Sequence, residues 1–463
     1  MTTFAEYEFM PVGQGLFATG NLGQAYDQVP RFRWVYDCGT LSESALLEKG
    51  LERLETDVKS QSSGKPSLDL VVISHFDVDH LSGLADLLTR FRVETLMLPF
   101  THLAQRLRHM FSQRPYTARA DRAYYIDPIG TILAMKAVDI GQIVLVPPST
   151  GESVPDQPDR PIAPRPPREL GDDSRQEREE LMFEEGNVYE ANDRDELDAM
   201  QKSAAPRHVP LRLMKADSAA TYDGVWEFVP YNEPKSRSKA SVDFLRKVEA
   251  KRLTLLSSTS LTARNVAIAD LKKAYDAHFG DSPKARNVIS LFLYSGPIGQ
   301  HLDTLLIGEQ ALKTVARDCM WACPVCWRIW FDAGCLPRTD RASGVLYTGD
   351  GYMNKPSRWQ DLRRHFGDQR IGCLVALQVM HHGARGNWFP GFASLVRPMV
   401  SVFSSDPERG NKLKNTGKSS SPSNLAKKPY EPHPHAEVMR DFSNYNPLQA
   451  NKLKGVQILT TYR

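Results

Sequence analysis

No apolar run in these 463 residues approaches the roughly 18–20 needed to cross a bilayer, which excludes a helical membrane span. The opening Met1-Thr2-Thr3-Phe4-Ala5-Glu6 lacks the basic-then-apolar order of a signal peptide, so a cytoplasmic protein is expected. Neither sign of charge dominates. Against 58 Lys and Arg stand 55 Asp and Glu, which argues against a protein that coats a polyanion but leaves room for a local basic patch. Cysteine is scarce, six in all, and four of the six crowd one short window while Cys38 and Cys373 lie far apart. In a reducing compartment such thiols stay free for metal rather than forming disulfides.

What is present points to a layered α/β protein. The apolar fraction of 41% is ordinary and supplies a core, and the length suggests two or three units or one large domain with insertions. Strand-like runs fall at 7–12, 32–37, 70–73 and 93–98. Helical spacing falls at 46–58 and 83–91, so strand and helix alternate through the first hundred residues. From Thr101 the texture changes. A basic helix is expected at 103–111, a proline-rich stretch at 147–167, and an acidic stretch at 169–200 that reads as a solvated linker with a marginal helix. Regular structure is expected again from Gly224, with a helix at 263–279 and strands at 288–294, 344–348, 373–380 and 399–403. The Lys-, Ser- and Pro-rich stretch 411–434 reads as a mobile loop. The expected organisation is therefore 1–100, an insertion at 101–220, and 221–463 with a Cys-rich excursion at 315–340.

The chemistry is concentrated in Ser74-His75-Phe76-Asp77-Val78-Asp79-His80-Leu81-Ser82-Gly83, just past the apolar run 68–73. Four metal-capable side chains, His75, Asp77, Asp79 and His80, lie where the backbone leaves a strand and turns. Imidazole with carboxylate suits Zn, Mn or Fe, and two ligand pairs suit two adjacent ions. Two later clusters sit in the same position, Thr348-Gly349-Asp350-Gly351 and His381-His382-Gly383, with glycines that allow close backbone approach. Separately, Cys319, Cys323, Cys326 and Cys335 offer four thiolates, enough for one closed structural zinc site.

In order along the chain, Val12-Gly13-Gln14-Gly15, Asp37-Cys38-Gly39, Ser74 to Gly83, Asn287 to Ser290, Thr348-Gly349-Asp350, His381-His382-Gly383 and His433-Pro434-His435 resemble the landmarks of metallo-β-lactamase-fold hydrolases. The set is most similar to the soluble hydrolase domain of ComEC-type DNA-uptake proteins. The resemblance covers 1–100 and about 220–463. It implies an αββα sandwich with an inserted middle segment and a Cys-rich insertion. It also implies two divalent ions, Zn or Mn: His75 and Asp77 on one, Asp79 and His80 on the other with one histidine of the H-H-G pair, His382 ahead of His381, and Asp350 bridging. Leu16 stands where the family often has an acid, and Ala384-Arg385-Gly386-Asn387 where it has small hydroxyl residues. A histidine that completes one site in many relatives has no clear match; His102, His109 and His301 are available for that place.

The implied activity is metal-assisted hydrolysis of a phosphodiester, with nucleic acid as the expected substrate. Asp79 counts with the catalytic groups as well as the ligands. His381 and His435 are candidates to protonate the departing oxygen, and Arg385 to hold a phosphate oxygen. Basic stretches at 106–122 and 412–428 would line a phosphate groove. A small phosphoester, ester or lactone is the alternative substrate. A second class of function is a partner-controlled component of a multi-protein system of the phage-defence type. In that case 101–220 would dock the partner.

Overall fold

The computed structural model describes residues 3–24, 30–59, 65–112, 122–156, 180–187, 191–233, 246–248, 250–251, 254–255, 261–279, 290–299, 302–308, 342–408 and 432–462. The four clustered cysteines, His301 and the basic stretch 412–428 lie outside the described residues, as do 157–179, 288–289 and Gly280.

The first half begins with an antiparallel trio, β1 (Thr3–Phe9), β2 (Phe17–Gln24) and β3 (Phe32–Cys38), followed by helix α1 (Ser44–Lys59) and strand β4 (Ser67–Val72). Then come α2 (Val78–Leu81), α3 (Leu84–Arg90) and β5 (Arg92–Pro99), close to the expected spans. Residues 101–220 are not free of the sheet. They form α4 (Leu103–Ser112), α5 (Arg122–Ile126), α6 (Pro128–Leu133), β6 (Ile140–Val146), α7 (Ala191–Ala204) and β7 (Leu211–Leu213). Strand β6 pairs parallel with β5, and β7 with β6, so this stretch extends the first sheet.

Next are β8 (Ala220–Tyr222), β9 (Trp226–Asn232), α8 (Leu261–Phe279), β10 (Leu291–Pro297) and β11 (Leu302–Gly308). The chain continues through β12 (Gly344–Tyr347), α9 (Pro356–Gly372), β13 (Leu374–Gln378), α10 (Phe392–Val396) and β14 (Val400–Ser404). It closes with α11 (Ala436–Asp441), β15 (Pro447–Ala450) and β16 (Val456–Tyr462). The strands make a nine-stranded sheet, β11-β16-β1-β2-β3-β4-β5-β6-β7, and a seven-stranded one, β15-β14-β13-β12-β10-β9-β8.

The two-residue period of a strand decides the layering. On β4, Leu70 and Val72 face a core shared with the second sheet, where Leu293, Val345, Tyr347, Val375 and Val402 also pack. Val71 and Ile73 face the other way, against Leu47, Leu51 and Leu54 of α1 and Leu84, Leu87 and Leu88 of α3. The second sheet is covered likewise, with Phe292, Leu346 and Phe403 against Trp359, Leu362 and Phe366 of α9 and Phe392 of α10. Burial on both faces explains why these strands read as continuous apolar runs. The result is a four-layer αββα sandwich, the metallo-β-lactamase-like architecture. Among the described residues, no helix is long and apolar enough to cross a membrane.

Candidate metal centre

Every element of the centre sits at the carboxyl end of a strand, where open α/β sheets place their ligand crevices. From the first sheet come Asp37, at the end of β3, and the turn from Ser74 to His80 after β4. From the second come Asp350, after β12, and His381 and His382, after β13. The backbone is bent hard to do this. His381 and His382 both take positive φ, 48° and 58°, a conformation that costs non-glycine residues and clusters at functional sites. Gly349 has φ 51° and passes so close to the first sheet that a Cβ there would lie 2.8 Å from the Ser74 hydroxyl. Only glycine fits.

Two groups of side chains converge: Asp79, His80, Asp350 and His382, and His75, Asp77 and Asp350. Asp350 belongs to both, and its two oxygens face different partners. Oδ1 lies 3.0 Å from His80 Nε2 and 3.7 Å from His382 Nε2. Oδ2 lies 3.7 Å from His75 Nε2 and 3.5 Å from His381 Nε2. Asp79 Oδ2 stands 3.1 Å from His382 Nε2, and Asp77 Oδ2 stands 3.5 Å from His75 Nε2.

The outer hydrogen bonds fix which nitrogen of each ring faces inward. Ser74 donates its hydroxyl to Asp37 Oδ2 at 2.6 Å and its backbone N–H to Oδ1 at 2.7 Å. With that proton committed, the Ser74 oxygen accepts from His75 Nδ1, 2.8 Å away. His80 Nδ1 lies 2.7 Å from Asp37 Oδ2, and His382 Nδ1 lies 2.5 Å from the Ser404 carbonyl oxygen. All three rings thus turn Nε2 toward the carboxylates, the arrangement that outer partners impose on metal-ligating histidines.

These residues fit divalent ions. The His75 Nε2 atom is buried and has no hydrogen-bond partner. Its neighbours, at 3.5 and 3.7 Å, are too far for hydrogen bonds. They are close to the ~3.3 Å edge of a tetrahedron of ligands at 2.0–2.1 Å. Asp79 and Asp350 are buried beside one another, and a buried charge cluster of one sign calls for cations. The titration behaviour agrees. Burial by itself would raise the Asp350 carboxyl, but His381, His80 and His382 hold it well below the usual range. Burial would lower His80, but Asp350 and Asp37 raise it well above the ordinary imidazole value. Binding of a cation among these ligands would displace such protons.

His75, Asp77, Asp79, His80, Asp350 and His382 thus lie together, and His381 is there with them. It is the most exposed of the set, at 32%. Burial keeps its pKa below the ordinary value, and its Nδ1 has no hydrogen-bond partner. The other two expected catalytic residues lie further out. His435 Nδ1 accepts from the Arg385 backbone N–H at 3.2 Å and lies 3.4 Å from the Gly383 carbonyl oxygen. Arg385 is half exposed, with Nε 3.1 Å from Glu437 on α11. It is His433 that stands nearer, its ring centroid 5.6 Å from that of His381. Of the three spare histidines, His102 pairs with Asp193, whereas His109 Nε2 reaches Asp77 Oδ1 at 2.7 Å.

Three supporting residues have no role that the sequence alone assigns. Asp37 was visible only as a strand-end landmark. Gln378, a lone amide in an apolar strand, accepts through Oε1 from the Thr348 and Gly349 N–H groups at 2.8 and 2.7 Å, and so ties the Asp350 turn to the strand that carries His381. Asn387 donates to the Asp350 carbonyl oxygen at 2.8 Å. The basic reading of α4 needs correction: Arg106 is buried and ion-paired with Glu196 at 2.9 Å, so it cannot line a phosphate groove. The helix expected in the acidic stretch is α7, and its Glu196 is buried.

Residues 33–186 match the family model described as the metallo-beta-lactamase superfamily. No curated protein matches the chain. The metallo-beta-lactamase match spans the first-sheet half of the centre, Asp37 to His80, and runs on through α4 and β6. The geometry adds Asp350 and His382 from the second sheet. Metallo-beta-lactamase proteins are in general metal-dependent hydrolases, and the Asp and His groups here are of the kind that hold divalent ions.

Proposed function

We propose that this protein is a two-metal phosphodiesterase that acts on nucleic acid. The observation that carries this reading is Asp350, which offers one oxygen to His80 and His382 and the other to His75. That is the disposition of a bridging carboxylate between two cations. His75, Asp77 and Asp350 would hold one ion, and Asp79, His80, His382 and Asp350 the other. Divalent ions held by these residues would supply an activated water and screen the charge that grows on phosphoryl oxygens.

The chain's own residues do the rest. His381 is neutral near pH 7, so it offers the departing oxygen a neutral hydrogen bond rather than a positive charge. His433 is held down to about 3 by burial and by His381, His382 and His435, and it too is neutral. Arg385 lies at the rim, where a phosphate oxygen can take the place of Glu437 on its guanidinium. His435 shapes the turn at Gly383 and Arg385 through its main-chain contacts. Nucleic acid as the substrate rests on the ComEC-type landmarks, and a structural zinc on Cys319, Cys323, Cys326 and Cys335 rests on their spacing.

The test is metal analysis together with turnover of single- and double-stranded DNA, RNA, bis-p-nitrophenyl phosphate and a lactone, with Zn or Mn added. Two catalytic ions per chain and cleavage of a nucleic acid are expected, both impaired in Asp350→Ala. Full turnover by that variant sinks the two-metal scheme. Lactone cleavage alone sinks the phosphodiester assignment. Pure protein that binds two ions but stays inert favours the partner-controlled reading. Cys323→Ser should release one zinc and spare the catalytic pair.

A further inference from the structure

Asp77 is the one carboxylate in the centre whose outer oxygen is gripped from the middle segment of the chain. Its Oδ1 lies 2.7 Å from His109 Nε2 on α4, and the Tyr125 hydroxyl on α5 donates to the same atom. Its Oδ2 faces His75 Nε2 at 3.5 Å. We infer that His109 and Tyr125 are positioning residues that hold Asp77 as a one-oxygen ligand and thereby set the affinity of the ion shared by His75, Asp77 and Asp350. This rests on the two-ion reading above.

The clamp is built to stay in place. One turn before His109 on α4, Arg106 is buried, and its Nε donates to the Tyr125 carbonyl oxygen at 2.9 Å. The same guanidinium donates to the Thr101 carbonyl oxygen and to Glu196 of α7. Glu196 also accepts from the Leu103 N–H at 3.2 Å, at the start of α4. A single arginine therefore fixes both the helix that carries His109 and the backbone of Tyr125. His109 is itself buried, and its ring centroid stands 6.1 Å from that of His75, edge to face.

The two ends of Asp77 thus have separate jobs. With Oδ1 occupied by two donors, only Oδ2 is left for an ion, and the carboxylate cannot rotate to chelate through both oxygens. His109 stands outside the two converging groups of ligand atoms, so it acts through Asp77 rather than as a ligand. Outer partners of this type are worth about 10–100-fold in metal affinity. The second group, Asp79, His80 and His382, has its own outer partners, Asp37 and the Ser404 carbonyl oxygen, and does not share the clamp. The middle segment thereby enters the metal centre itself.

The experiment measures Zn affinities of the full-length chain by competition with a chromogenic chelator, and checks metal content by elemental analysis after dialysis. Wild type should show two catalytic ions. His109→Ala should weaken one of them about 10–100-fold. The ion it keeps should have the affinity of the one that remains in His75→Ala. His109→Gln retains a donor of similar reach and should recover part of the loss. Tyr125→Phe should shift the same ion by less, and both variants serve if His109→Ala fails to fold. Unchanged affinities in all three variants overturn the clamp while leaving the two-ion centre standing. Equal weakening of both ions in a variant that melts like wild type also overturns it. A wild-type chain that binds fewer than two catalytic ions overturns both readings.

Discussion

Asp37 Oδ2 and His80 Nδ1 meet at 2.7 Å in a pair fully sealed from solvent. The contact turns His80 Nε2 toward Asp350 and fixes the ring's tautomer. Asp37→Asn keeps the shape but can present an amide donor to the ring nitrogen. We expect the ion at Asp79, His80 and His382 to bind about 10–100-fold more weakly. Chelator titration of the variant checks this, and an unchanged affinity would remove Asp37 from the centre's support.

The adjacent histidines 381 and 382 should separate cleanly. His382 is buried, with both ring nitrogens engaged by Ser404 and Asp79. His381 is partly exposed and has a nitrogen to spare. His382→Ala should lose an ion on dialysis. His381→Ala should keep two ions and lose about 10²–10³-fold in kcat, the cost of one hydrogen-bond donor. Elemental analysis beside steady-state kinetics distinguishes them, and the reverse pattern would exchange their roles.

Glu196 and Arg106 are both buried, at 2.9 Å. Removing one partner of such a pair strands the other's charge, at a cost of about 3–5 kcal/mol. Glu196→Ala should therefore lower the stability of the α4 region by that order, visible in denaturant unfolding or as faster amide exchange in 103–112. A change under 1 kcal/mol would mean that α7 is only loosely laid on α4.

Asp217 joins the Thr150 N–H, at 2.8 Å, to His365 of α9, at 3.0 Å. Burial would raise its pKa, but His365, Ser149 and Thr150 bring it down to about 2. A depressed carboxylate stabilises the fold above its unfolded pKa of about 3.9, and the contribution disappears as pH falls through the folded value. Asp217→Asn should therefore melt below wild type at pH 7, and the gap should close between about pH 4 and pH 2. A gap that stays constant down to pH 2 would assign the effect to packing instead of charge.

The turn from His75 to His80 is legible because its signal is local: four metal-capable side chains within six residues, after an apolar run whose alternate members face two cores. What escaped was long-range. Arg106 and Glu196 are 90 residues apart, and a charged residue on a helix reads as solvated until its partner is known. The bond between His109 and Asp77 crosses 32 residues and depends on α4 lying along the end of β4. In His433-Pro434-His435 the sequence does not say which ring faces inward, and the course of the backbone sets His433 beside His381. Strand β7 was hidden for another reason: it has three residues, and the proline-rich and acidic stretches before it dominate the local composition.

The union of Asp350 with His80 spans 270 residues of chain. At about 5–20 residues per second of synthesis, the early turn waits roughly 15–50 s on the ribosome before its partner is even made. A growing polypeptide therefore carries the early His and Asp groups well before Asp350 joins them. The two groups of metal-capable side chains are complete only once the second sheet folds against the first.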